Sequence, residues 1–101
     1  MGYTDILLER DGHVAILTLN RPTKLNAISI HMKQELEDAV NCLEQDDTIW
    51  GVILTGTGKA FSTGTDIAEF PSEVERARKI TAWSQRILNR IENLNKPVIA
   101  A

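Results

Sequence analysis

Two short apolar, β-branched runs open the chain, "DILL" at 5–8 and "VAILTL" at 14–19, with Asp11-Gly12 between them. An Asp-Gly pair in that setting predicts a β-hairpin, because both positions tolerate positive φ. Arg21-Pro22 then ends the second run and leaves "NRPTKLNAIS" as a loop. Ser29 is a helix cap. After it Met32, Leu36, Ala39, Val40 and Leu43 recur at helical spacing, which predicts a helix over roughly residues 30–45. Lys33, Glu35, Glu37 and Asp38 take the other face of that helix.

The run Trp50–Thr55, "WGVILT", does not alternate in polarity, so both its faces are expected to be covered, as in a parallel strand. A second helix is predicted from about 73 to 94, introduced by Pro71-Ser72 with Glu75 completing a capping pattern. Its apolar stripe is Ala77, Ile80, Trp83, Ile87, Leu88, Ile91 and Leu94. Lys96-Pro97 breaks it, and "VIAA" starts a further buried strand. Hairpin, helix, strand, helix, strand is the order of an α/β unit with right-handed crossovers. A buried strand with nothing after it looks like a fold cut midway.

Composition adds bounds rather than direction. The chain has 101 residues, a formal charge of −3 and 43% hydrophobic residues, as for one globular unit with a modest core. No basic run or stripe is evident in the sequence, which argues against nucleic acid as a partner. Cys42 is the only cysteine, so a disulfide framework or thiolate metal site is not expected, and it reads as a small apolar helix residue. Apolar runs fall far short of the ~20 residues of a membrane span. "MGYTDILLER" lacks a basic, apolar leader, so the expected compartment is cytoplasmic.

Several motifs lose to simpler explanations. "GTGKA" at 56–60 follows a strand, but its glycines and lysine do not have the spacing of a phosphate loop, and Phe61 holds the third glycine position of a dinucleotide fingerprint. His13 and His31 read as surface residues without companion ligands. Ser62 and Thr65 lack the elbow that surrounds a nucleophilic serine. The acids 73, 75 and 92 fit a solvated helix face. "FSTGTDIAEF" at 61–70 is the exception. Asp66 is a good N-cap, Glu69 completes a capping-box pattern, and Gly64 permits close backbone approach. Free N–H groups at such a turn point back towards residues 62–66 and suit a ligand carbonyl or a developing oxyanion. An ordinary strand-to-helix loop remains open on these residues alone.

"NRPTKLNAIS", then "GKAFSTGTDIAEF", then "NKPVIAA" together resemble the crotonase superfamily, the enoyl-CoA hydratase/isomerase family, in order and in approximate spacing. The resemblance covers essentially the whole chain. It implies a spiral of ββα units, of which residues 1–101 would be the N-terminal part of a single domain, with the remainder absent. It also implies that backbone around Leu25, Asn26 and Ala27 meets coenzyme A, with Lys24 and Lys59 near its phosphates. Gly64, Thr65, Asp66 and Ile67 map onto the family's Gly-(Ala/Gly)-Asp-Ile segment, with Thr63 beside them as a further substrate-binding candidate, and the N–H of Thr65 would be one of two oxyanion-hole donors to the thioester oxygen.

The family usually has small alanines or glycines where this chain has Thr63 and Thr65. The second donor, in a glycine-rich stretch, and the acidic catalytic residues come after "KPVIAA" in the family and are not in this chain. The implied activity of a full-length parent is hydration of a 2,3-enoyl-CoA. Alternatives are an isomerase, another acyl-CoA enzyme of this scaffold, or a non-catalytic interaction fragment. Coenzyme A would enter as part of the substrate, without a separate cofactor or metal. The parent would form a homo-oligomer, a trimer or hexamer, and the fragment alone would be inactive.

Overall fold

The computed structural model describes residues 2–58, 62 and 73–101, and the statements below concern those residues. Strands β1 (Ile6–Asp11) and β2 (Val14–Leu19) form the expected hairpin. Asp11 pairs with Val14, so the turn is Gly12-His13 rather than Asp11-Gly12. Only Gly12 needs a positive φ, at +62°, and glycine adopts it without a Cβ penalty.

Helix α1 (Ile30–Gln45) leads to β3 (Gly51–Gly56), and helix α2 (Val74–Glu92) precedes β4 (Val98–Ala100). β3 pairs parallel with β2 on one side and with β4 on the other, giving the strand order β1-β2-β3-β4. Parallel neighbours cannot be joined by a tight turn, and here a helix lies in each connection. The Ser29 hydroxyl accepts from the Met32 N–H at 3.0 Å, so α1 begins where its cap residue stands. At α2 the N-cap is Glu73, without a side-chain cap bond; Ser72, expected there, lies outside the described residues.

The core lies between one face of the sheet and the two helices. Ile6, Ala15, Leu17, Leu19 and Val52 meet Met32, Leu36, Ala39, Val40 and Leu43 from α1, and Ile87 and Ile91 from α2. Two charged residues correct the expected polar face of α1. Lys33 is 1% exposed and Glu35 8%. Each flanks the apolar stripe, Lys33 three residues before Leu36 and Glu35 four before Ala39. Residues of α2 (Ser84, Ile87 and Leu88) line a small cavity with Lys33, while backbone of residues 4–6 covers Glu35.

Two further expectations change. β3 is not covered equally: Val52 is buried, but Ile53 on the other face is half-buried. β4 forms as a parallel strand yet is an exposed edge: Val98 packs partly against the core, whereas Ile99, on the other face, is 64% accessible. Helix α2 carries Arg76, Arg78, Lys79, Arg86 and Arg90 but only Glu75 and Glu92, so it is a basic helix. Among the described residues no helix is long and apolar enough to cross a membrane.

Candidate functional site

The two segments that the motifs single out leave the sheet side by side. Loop 20–29 follows β2, and Thr57 and Gly58 follow β3, its parallel neighbour. Ligand sites of open α/β sheets collect at this carboxyl edge. Thr57 N–H donates to the Leu19 carbonyl at 2.9 Å, carrying the pairing past the end of β3. Gly58, at φ +86°, lies against Pro22, where an added Cβ would sit 3.3 Å from the proline Cβ.

Pro22–Lys24 form a single 3-10 turn, with proline at a position where its missing N–H costs nothing. The turn closes with two consecutive left-handed residues, Leu25 at φ 52° and Asn26 at φ 56°. Asparagine tolerates this region; leucine does so at a cost of about 1–2 kcal/mol. Such a conformation persists only where its surroundings over-determine it.

Asn26 supplies that constraint. It is fully buried, and its amide oxygen accepts from the Arg21 N–H at 2.7 Å while its Nδ2 donates to the Thr57 carbonyl at 2.9 Å. Its own N–H donates to the Arg21 carbonyl at 2.9 Å, and its carbonyl accepts from the Ser62 hydroxyl at 2.8 Å. The Arg21 guanidinium donates to the Ala27 carbonyl at 2.6 Å. One asparagine therefore holds the first motif to the chain that leads into the second.

The loop's hydrogen bonding limits what it can offer a ligand. The N–H groups of Lys24, Leu25, Asn26 and Ala27 all donate within the loop. Carbonyl oxygens, which accept twice, and the exposed side chains of Lys24 and Leu25 remain for binding. The Asn26 side chain bonds backbone of Arg21 and Thr57. Lys59, Thr63, Gly64, Thr65, Asp66 and Ile67 lie outside the described residues, as does the cap expected at Asp66 with Glu69. Ser62, weighed as a nucleophile, spends its hydroxyl proton on the Asn26 carbonyl.

Lys33 and Glu35 were not anticipated near this edge. The buried ammonium of Lys33 donates to the Ile28 carbonyl at 3.3 Å, directly after the loop. Glu35 accepts the N–H groups of Thr4, Asp5 and Ile6 at 2.8, 2.7 and 3.2 Å. His31 Nδ1 lies 3.1 Å from Asp5 Oδ2, and the Ser29 hydroxyl donates to the same oxygen. Asp5, His31 and Glu35 thus offer potential metal-ligand atoms within 4.8 Å of one another. Their oxygens already receive four hydrogen-bond donors, which fits a clasp between the N-terminal segment and α1. The spacing of His31 and Glu35, one helical turn apart, was the local signal for this pair.

At the opposite end of the sheet, the His13 ring stacks on Trp50 with centroids 3.5 Å apart, and its Nδ1 lies 2.8 Å from the Thr48 carbonyl. Both partners are used structurally.

A family model described as enoyl-CoA hydratase/isomerase matches residues 9–101. The short-chain-enoyl-CoA hydratase of Clostridium acetobutylicum is 38% identical over the whole chain, which covers 40% of that protein. The trans-2-decenoyl-[acyl-carrier-protein] isomerase of Streptococcus mutans is 32% identical over 98% of the chain and 40% of its own length. Among solved structures, the enoyl-CoA hydratase of Mycobacterium smegmatis superposes with a TM-score of 0.90 at 37% identity, covering 97% of this chain and 39% of that one. The chain therefore spans about 40% of the length of the curated relatives it matches, in their N-terminal part.

Proposed function

The chain belongs to the enoyl-CoA hydratase/isomerase family, and on that premise we propose that residues 1–101 are the N-terminal part of a single-domain enzyme acting on acyl-CoA thioesters. Its reaction is the addition of water across a 2,3-enoyl-CoA. The observation that carries this reading is the bonding of Asn26 to both Thr57 and Ser62. That contact holds the proposed coenzyme A loop to Thr57 and Ser62, and Ser62 comes just before, in sequence, the segment assigned to the thioester oxygen.

In this reading coenzyme A lies along residues 24–27 as part of the substrate. Loop carbonyls accept its donors, Leu25 offers an apolar contact, and Lys24 and Lys59 attract its phosphates. The N–H of Thr65, within 63–67, donates to the thioester oxygen. A donor placed where negative charge develops lowers the barrier, because the charge on oxygen grows as water attacks the β-carbon. The second donor and the residues that move protons come from the remaining length of the enzyme. Assembly as a trimer or hexamer in the cytoplasm completes the proposal.

The isomerase among the relatives favours one second reading. The same oxyanion stabilisation supports removal of a proton from one carbon and its return to another, which shifts a double bond without water.

Hydration of a short enoyl-CoA by the parent enzyme, followed as loss of the conjugated thioester absorbance, tests the proposal together with two variants. Thr65→Ala keeps the N–H and should retain most activity. Thr65→Pro deletes it and should lower kcat by roughly 10²–10³. Unfolding curves and coenzyme A affinity control for loop distortion. An alanine variant as inactive as the proline one would assign the chemistry to the hydroxyl and refute the backbone role.

A further inference from the structure

We infer that Ser62 is a positioning residue for this reaction, acting through the Asn26 carbonyl; the inference rests on the proposed function above. Its hydroxyl donates at 2.8 Å to a peptide group inside the coenzyme A loop. Ser62 itself stands three residues before Thr65, the proposed oxyanion donor. One hydrogen bond thus has one end on the binding loop and the other on the chain that leads to the donor.

The loop end of that bond is rigid for reasons already visible. The Ala27 carbonyl is held by the Arg21 guanidinium, the Asn26 N–H by the Arg21 carbonyl, and the Asn26 side chain by Thr57. Consecutive left-handed residues leave the Asn26 carbonyl a fixed direction. A hydroxyl reaching it fixes Ser62 against the loop, three residues before the proposed donor in sequence. Substrate contacts made by the loop are present before and during reaction, so they govern binding. The distance between bound thioester and oxyanion donor matters most in the transition state, where a misplacement of about 1 Å costs up to ~10²-fold.

The test uses the parent enzyme with Ser62→Ala and Ser62→Thr. The alanine variant should lower kcat by roughly tenfold while coenzyme A affinity changes less than about threefold, the split expected when only a transition-state interaction is lost. Threonine restores the donor and should recover most of kcat. An alanine variant with unchanged kcat, a loss seen only in KM, or a loss that threonine does not recover overturns the inference.

Amide exchange decides the same point without turnover. Ser62→Ala should speed exchange at Asn26 and Ala27, by more frequent local opening, and leave the Glu35-bound amides of residues 4–6 unchanged. Unchanged exchange at Asn26 and Ala27 overturns the positioning role even in an active enzyme. A wild-type enzyme with no turnover of any enoyl-CoA would instead refute the proposed function, and exchange would still decide the role of Ser62.

Discussion

Glu35 and Asn26 are both buried, and both bond backbone far from them in sequence, yet they do different work. Glu35 receives three N–H groups, all from residues 4–6. An ionised carboxylate can only accept, so it gathers donors from the end of one segment and fastens that segment to α1. Asn26 has an acceptor and a donor on one short side chain. It bonds the Arg21 N–H and the Thr57 carbonyl together, joining two loops that leave neighbouring strands. Residues of the first kind secure the fold; those of the second set one part of a site against another.

The largest effect expected on the Glu35 side is in stability. Glu35→Ala leaves three donors without their acceptor, and at least one, on Ile6, is buried. Since an unsatisfied buried group costs ≈ 1–3 kcal/mol, the variant should lose about 3 kcal/mol in urea unfolding. A loss below ~1 kcal/mol would mean that solvent replaces the carboxylate, and would break the comparison.

Next in size is a binding effect on the Asn26 side. Lys24→Ala with Lys59→Ala in the parent enzyme should raise KM by several-fold, leave kcat nearly unchanged and weaken the dependence of binding on salt. A fall in kcat at constant KM would place the lysines in the chemistry.

A smaller effect concerns pH and belongs to the clasp. Burial first, and then the hydrogen bond to Asp38, push the Tyr3 phenol above its usual range. The neutral phenol is thus favoured in the folded state. Its contribution is fully present below the unfolded pKa of about 10 and is lost as pH rises towards the higher folded value. Tyr3→Phe should flatten stability measured above pH ~10, and an unchanged alkaline limb would remove Tyr3 from the clasp.

The smallest effect lies at the far end of the sheet. Hydrogen bonds from the Thr48 hydroxyl and N–H hold the Asp46 carboxyl below its usual value, with Arg10 and Lys96 adding attraction. That contribution is present above the unfolded pKa and is lost as pH falls through the folded one. Asp46 is exposed enough that Asp46→Asn should alter only the acid limb of stability, and only slightly, with activity unaffected.

Local chemistry explains what could be foreseen in the sequence. α1 spans the expected residues because its cap and its apolar stripe are both properties of a single segment. The hairpin turn moved by one residue because ladder pairing, not the Asp-Gly pair, sets register. Lys33 and Glu35 seemed solvent-facing because a helical wheel does not reveal how far neighbouring elements extend over its flanks. For the site, Asn26 was legible as part of a motif, but its side-chain role was not. Two of its partners, Thr57 and Ser62, are 31 and 36 residues away. The exposed edge at β4 departs from expectation because apolar composition reports what a strand is suited to meet, not what is present beside it.

Steady-state kinetics of Asn26→Ala and Glu35→Ala in the parent enzyme, at a temperature where both remain folded, test the central claim most directly. Asn26→Ala should lower kcat/KM by about 100-fold, the scale of a misplaced reacting group, whereas Glu35→Ala should stay within about threefold of the unaltered enzyme. Equal losses in the two variants, or a larger loss for Glu35→Ala, would contradict the assignment of Asn26 as the residue that joins the two halves of the site.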